Sequence, residues 1–191
     1  FKPWEFYYSL GKAYYLISGE LVKGLEFIDE AIARGGSSKD LYFIRALIDK
    51  DLGNLDAGIS DLLQARSLDR LDFEVHIKLG QFLFEDENYF ASLVYLNISE
   101  DLAFNDAQLA QVYFYRAQVL EAYDRFDESI LNWEALLSLP LDVVPDEWEE
   151  IAAIKLLPTA TPTPTITLTP TITPTVTPSV TPTASETETG D

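Results

Sequence analysis

The chain has 191 residues, no Cys, no Met, one His, and 13 basic against 32 acidic side chains, for a net charge of −19. The missing Cys excludes a disulfide scaffold, a thiol nucleophile and a thiolate zinc site, and the charge argues against a nucleic-acid phosphate backbone as partner. At 47% hydrophobic residues the chain can bury one core and carry a tail, and no apolar run reaches the roughly 18 residues of a membrane span.

The first residues, Phe1-Lys2-Pro3-Trp4, hold neither an initiator Met nor a signal peptide, so the start reads as processed, trimmed or fragmentary. Residues 4–38 then show two apolar-periodic stretches of about 14 residues each, the length of two short helices. Ser18-Gly19 marks the turn between them. Gly35-Gly36 suits the end of the second helix, and Ser38 or Asp40 suits the N-cap of the next.

Residues 39–72 repeat the plan. Gly53, Gly58, Leu62 and Ala65 fall 34 positions after Gly19, Gly24, Ile28 and Ala31. The Leu10–Gly11 pair sits one residue early in that register, so the first helix of the chain is one residue longer. Residues 73–106 are a third copy: Ala46 meets Gly80, Gly53 meets Glu87, Leu62 meets Leu96, and Ala65 meets Ser99. A fourth copy, 107–141, follows a three-residue slip; Arg116–Ala117 echoes Arg45–Ala46, Ser129 echoes Ser92, and Pro140 ends it. Small residues recur at Gly11, Ala46, Gly80 and Ala117 on the first helices, and at Gly24, Gly58 and Ser92 on the second. Helix axes must approach to about 8–10 Å there.

Asp142–Leu157 reads as one more amphipathic helix with Pro145 in its first turn. Asp146, Glu147, Glu149 and Glu150 favour the positive end of its dipole. It is expected to cap the apolar end of the stack. A metal site made of those acids is disfavoured, because no Asp-x-Asp loop with Gly accompanies them.

The composition changes at Leu157–Pro158. All 14 threonines and seven of the 10 prolines lie beyond it. Thr alternates with other residues from Thr159 to Thr177, but the prolines lack the N–H that a sheet ladder needs. The segment 158–191 is expected to be disordered and extended. Two readings of it stand side by side: an O-glycosylated stalk, or an unmodified spacer. The stalk reading favours an extracytoplasmic or cell-surface setting over a cytoplasmic one.

Candidate chemistry is sparse. His76 is the only imidazole and there is no Cys, so a nucleophile with base and orienter is not assembled. Gly35-Gly36-Ser37-Ser38 lacks the Lys-Ser/Thr of a phosphate loop. The abundant carboxylates read as solvated helix faces. Asn97-Ile98-Ser99 matches a glycosylation sequon but falls inside a helix. No catalytic residue, cofactor or metal is expected.

The 34-residue period and these residue types resemble the tetratricopeptide repeat over residues 4–141. Leu41-Tyr42-Phe43-Ile44-Arg45-Ala46, Leu10-Gly11 with Tyr14, Leu79-Gly80 with Tyr89, and Phe126 with Ala135–Pro140 carry the match. Departures are Gly36, Arg70 and Phe104 where a unit-closing proline is usual, and Asp49 and Leu83 where the first helix usually has an aromatic. The resemblance implies an all-α, right-handed superhelical solenoid, 1–157, with first helices lining a concave groove. On that face i, i+4, i+7 spacing selects Tyr8, Lys12 and Tyr15; Phe43, Leu47 and Lys50; Ile77, Gln81 and Phe84; and Phe114, Gln118 and Glu121. Relatives that hold acidic chaperone tails use Lys, Arg and Asn there, and the leading residues here are aromatic or apolar instead. The expected partner is a protein or peptide with apolar anchors and basic flanks, drawn by Glu5, Asp40, Asp51, Glu74 and Glu85. A rival expectation is architectural: one end of a longer solenoid, held at a cell envelope by the Thr/Pro segment.

Overall fold

The computed structural model describes residues 3–157. Phe1, Lys2 and the Thr/Pro segment 158–191, with the disorder expected of it, lie outside the described residues. Within them, helices follow one another with no strand: α1 (Pro3–Ala13) running into a π-helical segment (Tyr14–Ser18), α2 (Leu21–Ala33), α3 (Lys39–Asp51), α4 (Leu55–Leu68), α5 (Phe73–Glu85), α6 (Tyr89–Leu102), α7 (Asp106–Ala122), α8 (Phe126–Leu137) and α9 (Asp146–Lys155). Helices pair as α1–α2, α3–α4, α5–α6 and α7–α8. Each pair packs on the next, and α9 packs on α8. This is the solenoid of helix-turn-helix units that the period implies.

Local chemistry sets the ends of the helices. Ser38, Asp72, Asn88 and Asn105 cap α3, α5, α6 and α7; each side chain accepts the N–H of the residue three further on, satisfying an orphan donor. The turn inside each unit passes through one left-handed residue at the same place: Gly19, Gly53, Glu87 and Asp124, with φ of 66°, 85°, 58° and 57°. Gly accepts that conformation freely and the two acidic residues do not.

The two register shifts have structural counterparts. The extra residue of the first unit is absorbed as the π-helical segment Tyr14–Ser18, which ends on left-handed Gly19. The three-residue slip before the fourth unit becomes an additional turn at the start of α7, which has 17 residues against 13 in α3 and α5.

The core is repetitive in the same way. Leu41, Val75 and Val112 on successive first helices are fully buried, as are Ile48, Phe82 and Val119 one helical face-repeat later. The small residues make room for them. A Cβ on Gly11 would lie 2.8 Å from Ile28, and one on Gly80 would lie 2.7 Å from Leu96, so these glycines admit the second helix of their own unit. A Cβ on Gly58 would lie 3.0 Å from both the Ala46 carbonyl oxygen and the Phe82 ring. Gly58 therefore admits its own first helix and the next unit together.

Candidate functional site

Polar contacts separate two faces of the stack. On one face the first helices touch each other directly. The Tyr15 hydroxyl donates to Asp51 Oδ2 at 3.0 Å, linking the π-helical segment to α3, and Lys50 Nζ lies 2.9 Å from Glu85, linking α3 to α5. On the other face arginines of first helices bridge successive second helices. Arg45 of α3 donates to both oxygens of Asp61 on α4 and to Asp29 on α2. Arg116 of α7 repeats this, donating to Asn132 on α8 and to Asn97 and Glu100 on α6. The sequence echo of Arg45–Ala46 in Arg116–Ala117 is this bracket.

The twelve residues selected for the groove divide into free and occupied groups. Tyr8, Tyr15, Phe43, Leu47, Gln81, Phe84 and Gln118 are half-buried, and Lys12 is exposed. Phe43 and Leu47 lie at the joint between the first three units, touching the core on both sides, and Phe84 sits 6.0 Å from the Tyr89 ring. Lys50 is already held by Glu85. Glu121 accepts from Trp133 Nε1 at 2.8 Å and pairs with Lys155 of α9.

Two of the twelve need correction. Ile77 has no exposed surface and belongs to the core with Phe73, Val112 and Val119. Phe114 is buried beneath Trp148, whose ring stacks on it at 4.2 Å and 9°. A helical stripe spaced i, i+4, i+7 defines one face of a lone helix. In the stack the next unit covers part of that face at Ile77, and α9 covers it at Phe114.

The site has members that spacing did not select. Lys78 is one position beyond the stripe, half-buried, and donates to Gln81 Oε1 at 2.8 Å. Burial pushes its ammonium below the usual lysine range, with Lys50 adding to the effect and Glu74 opposing it. Tyr115 is held above the usual phenol range by burial, with Lys50 lowering and Glu85 raising it. These causes place Lys78 and Tyr115 in the field of the Lys50–Glu85 pair. Tyr15 is pushed up to about 12 by burial, then by its hydrogen bond to Asp51, and Tyr8 is raised by burial and by Asp40. The three phenols thus keep their protons at neutral pH and act as donors. A Lys in the next position along the helix is the signal that could have found Lys78.

His76, the one imidazole, is buried with Nδ1 2.8 Å from the Asp72 carbonyl oxygen, at the N-terminus of α5. Among the described residues no group of three or more His, Asp and Glu is placed to hold a metal ion. No described helix is long and apolar enough to cross a membrane.

The architecture and register are those of the tetratricopeptide-repeat fold. Solved structures of that fold superpose on most of the chain. MamA matches with a TM-score of 0.66 at 18% identity, over 80% of this chain and 82% of its own. YrrB, a TPR protein with an unusual peptide-binding site, matches with a TM-score of 0.69 at 15% identity, over 81% and 76%. PilF of Pseudomonas aeruginosa matches with a TM-score of 0.64 at 18% identity, over 80% and 72%. No family model and no curated protein matches the sequence.

Proposed function

We propose that this chain is a non-catalytic protein-interaction scaffold that takes a protein or peptide segment in its inner groove. The carrying observation is the joint of the first three units. There Phe43 and Leu47 keep accessible apolar surface, and Phe84 does so further along beside Tyr89. Helices α3 and α5 carry Asp40, Asp51, Glu74 and Glu85, while Lys39 is held by Asp40 and Asp72 and Lys50 by Glu85. The excess of carboxylate suits a partner with apolar anchors and basic flanks, which the field steers in. The likeness in fold to YrrB supports a peptide as one form of that partner. In this reading residues 4–157 carry the groove and 158–191 serve as a spacer, which the composition suggests.

A peptide array followed by titration tests this. Phe43→Ala and Phe84→Ala should each weaken binding by about 2 kcal/mol, as buried aromatic anchors do, with helicity unchanged. Glu74→Gln should slow association and reduce its salt dependence. Capture of acidic peptides, or wild-type binding by both Phe variants, overturns the groove assignment.

A further inference from the structure

The outer face carries the same groove twice, with different chemistry. Between α2 and α4, floored by α3, a cavity of about 290 Å³ is lined by Asp29, Arg45, Asp49 and Asp61. Between α6 and α8, floored by α7, a cavity of about 420 Å³ has Asn97, Arg116, Leu120 and Asn132 at the corresponding places. Ser60 of the first groove likewise corresponds to Leu131 of the second. The two cavities are therefore an internal comparison: one backbone frame with two sets of side chains.

In the first groove three carboxylates face one guanidinium, and Arg45 is consumed by Asp61 and Asp29. In the second, two of those carboxylates are carboxamides and the third is a leucine. The charges that remain close on each other: Arg116 on Glu100, and Arg125 on Glu128 through two hydrogen bonds of 2.7 and 2.6 Å. On a chain of net charge −19 this groove is neutral. Leu131 stands on its wall with 63% of its surface exposed, above buried Leu93 and Leu120. Asn97 Oδ1 accepts from Arg116 Nη1 at 3.1 Å, and the Asn97 amide N–H groups have no partner among the described residues.

We propose that the groove between α6 and α8 is a second binding site, for an uncharged, extended peptide segment that carries one aliphatic side chain. The aliphatic group packs among Leu93, Leu120 and Leu131, and the Asn97 amide donates to a backbone carbonyl of the segment. A charged anchor is disfavoured, because it loses its water and finds both arginines and both glutamates already paired. The rise from Leu93 to Glu100 along α6 is about 10 Å, the length of roughly three extended residues. This site does not depend on the inner groove.

The test uses the full chain and N-acetylated, C-amidated uncharged heptapeptides with Leu, Ile, Ala, Asp or Lys at the centre. Leu- and Ile-centred probes should bind and Asp- and Lys-centred ones should not. Asn97→Asp and Leu131→Asp, which give the groove the acidic character of its counterpart, should each weaken binding about tenfold or more. Phe43→Ala should leave it unchanged. Leu131→Ser, which copies Ser60, stands in if the Asp variant loses helicity. Binding that ignores the Asn97 and Leu131 substitutions overturns the proposal, as does preference for charged centres or no binding of any probe. A wild-type dimer that Leu131→Asp converts to monomer would assign the groove to a second copy of the chain and overturn it too.

Discussion

The Ser92 hydroxyl donates a buried hydrogen bond of 2.7 Å to the Gly80 carbonyl oxygen, where α5 and α6 cross. Ser129 repeats it on Ala117 at 3.0 Å, where α7 and α8 cross. The first two units place Gly24 and Gly58 at this point instead. Every unit thus keeps the crossing close, two with a bare backbone and two with a hydroxyl small enough to fit and able to find an acceptor. Ser92→Ala should cost about 1 kcal/mol, the net worth of one buried hydrogen bond, read as a lower denaturation midpoint with an unchanged slope.

Gly58→Leu should be more damaging. Its Cβ alone meets the Ala46 carbonyl oxygen and the Phe82 ring at 3.0 Å, and three further carbons have no space. Over-packing of this kind costs about 1–3 kcal/mol, and nearest-neighbour coupling carries the loss into the adjoining units. A melting temperature within a degree of wild type would contradict the close approach. Amide exchange along the chain would show the loss centred on α3, α4 and α5.

Glu87→Gly should stabilise the chain. Glu87 holds φ at 58° where the first two units use glycine, and a left-handed residue with a Cβ is strained by about 1–2 kcal/mol. Glycine's greater freedom in the unfolded chain returns part of that, leaving a gain of roughly 0.5–1 kcal/mol. Asp124→Gly should act alike, and Gly53→Ala should act in the opposite direction. Thermal melts of the three variants check the set.

Asp49 makes stability depend on pH. Its carboxyl is pushed above the usual range by burial and then by the charge of Asp61, against a hydrogen bond from Asn54 and the charge of Arg45. The folded chain therefore holds this proton more tightly than the unfolded chain. Stability from this group falls as pH rises above the unfolded carboxyl value of about 3.9, and the loss is complete once the folded carboxyl has ionised. Asp49→Asn removes the ionisation at nearly constant shape. Its melting temperature should exceed that of wild type at pH 7, and the difference should shrink as pH falls towards 4. A variant less stable than wild type at pH 7 would show that attraction to Arg45 outweighs burial.

The amino-acid sequence by itself determined the unit. The 34-residue spacing of Gly19, Gly53 and Glu87 located the turns, and the small residues at Gly11, Ala46, Gly80 and Ala117 located the helix crossings. The early Leu10–Gly11 pair also announced a longer first helix, though not that the surplus residue would become a π-helical segment. These features were legible because they are local: turn chemistry and helix crossing act within about one unit. Only the tertiary structure decided which side chains of the inner stripe remain free. Ile77 and Phe114 share the spacing of Phe43, yet packing from the next unit buries the first and Trp148 of α9 covers the second. The echo of Arg45 in Arg116 was visible in the sequence, but the partners that each arginine brackets, and the neutral groove beside Leu131, were not. Each joins helices from adjacent units, and helical periodicity records one helix's face without recording what the neighbouring unit places against it.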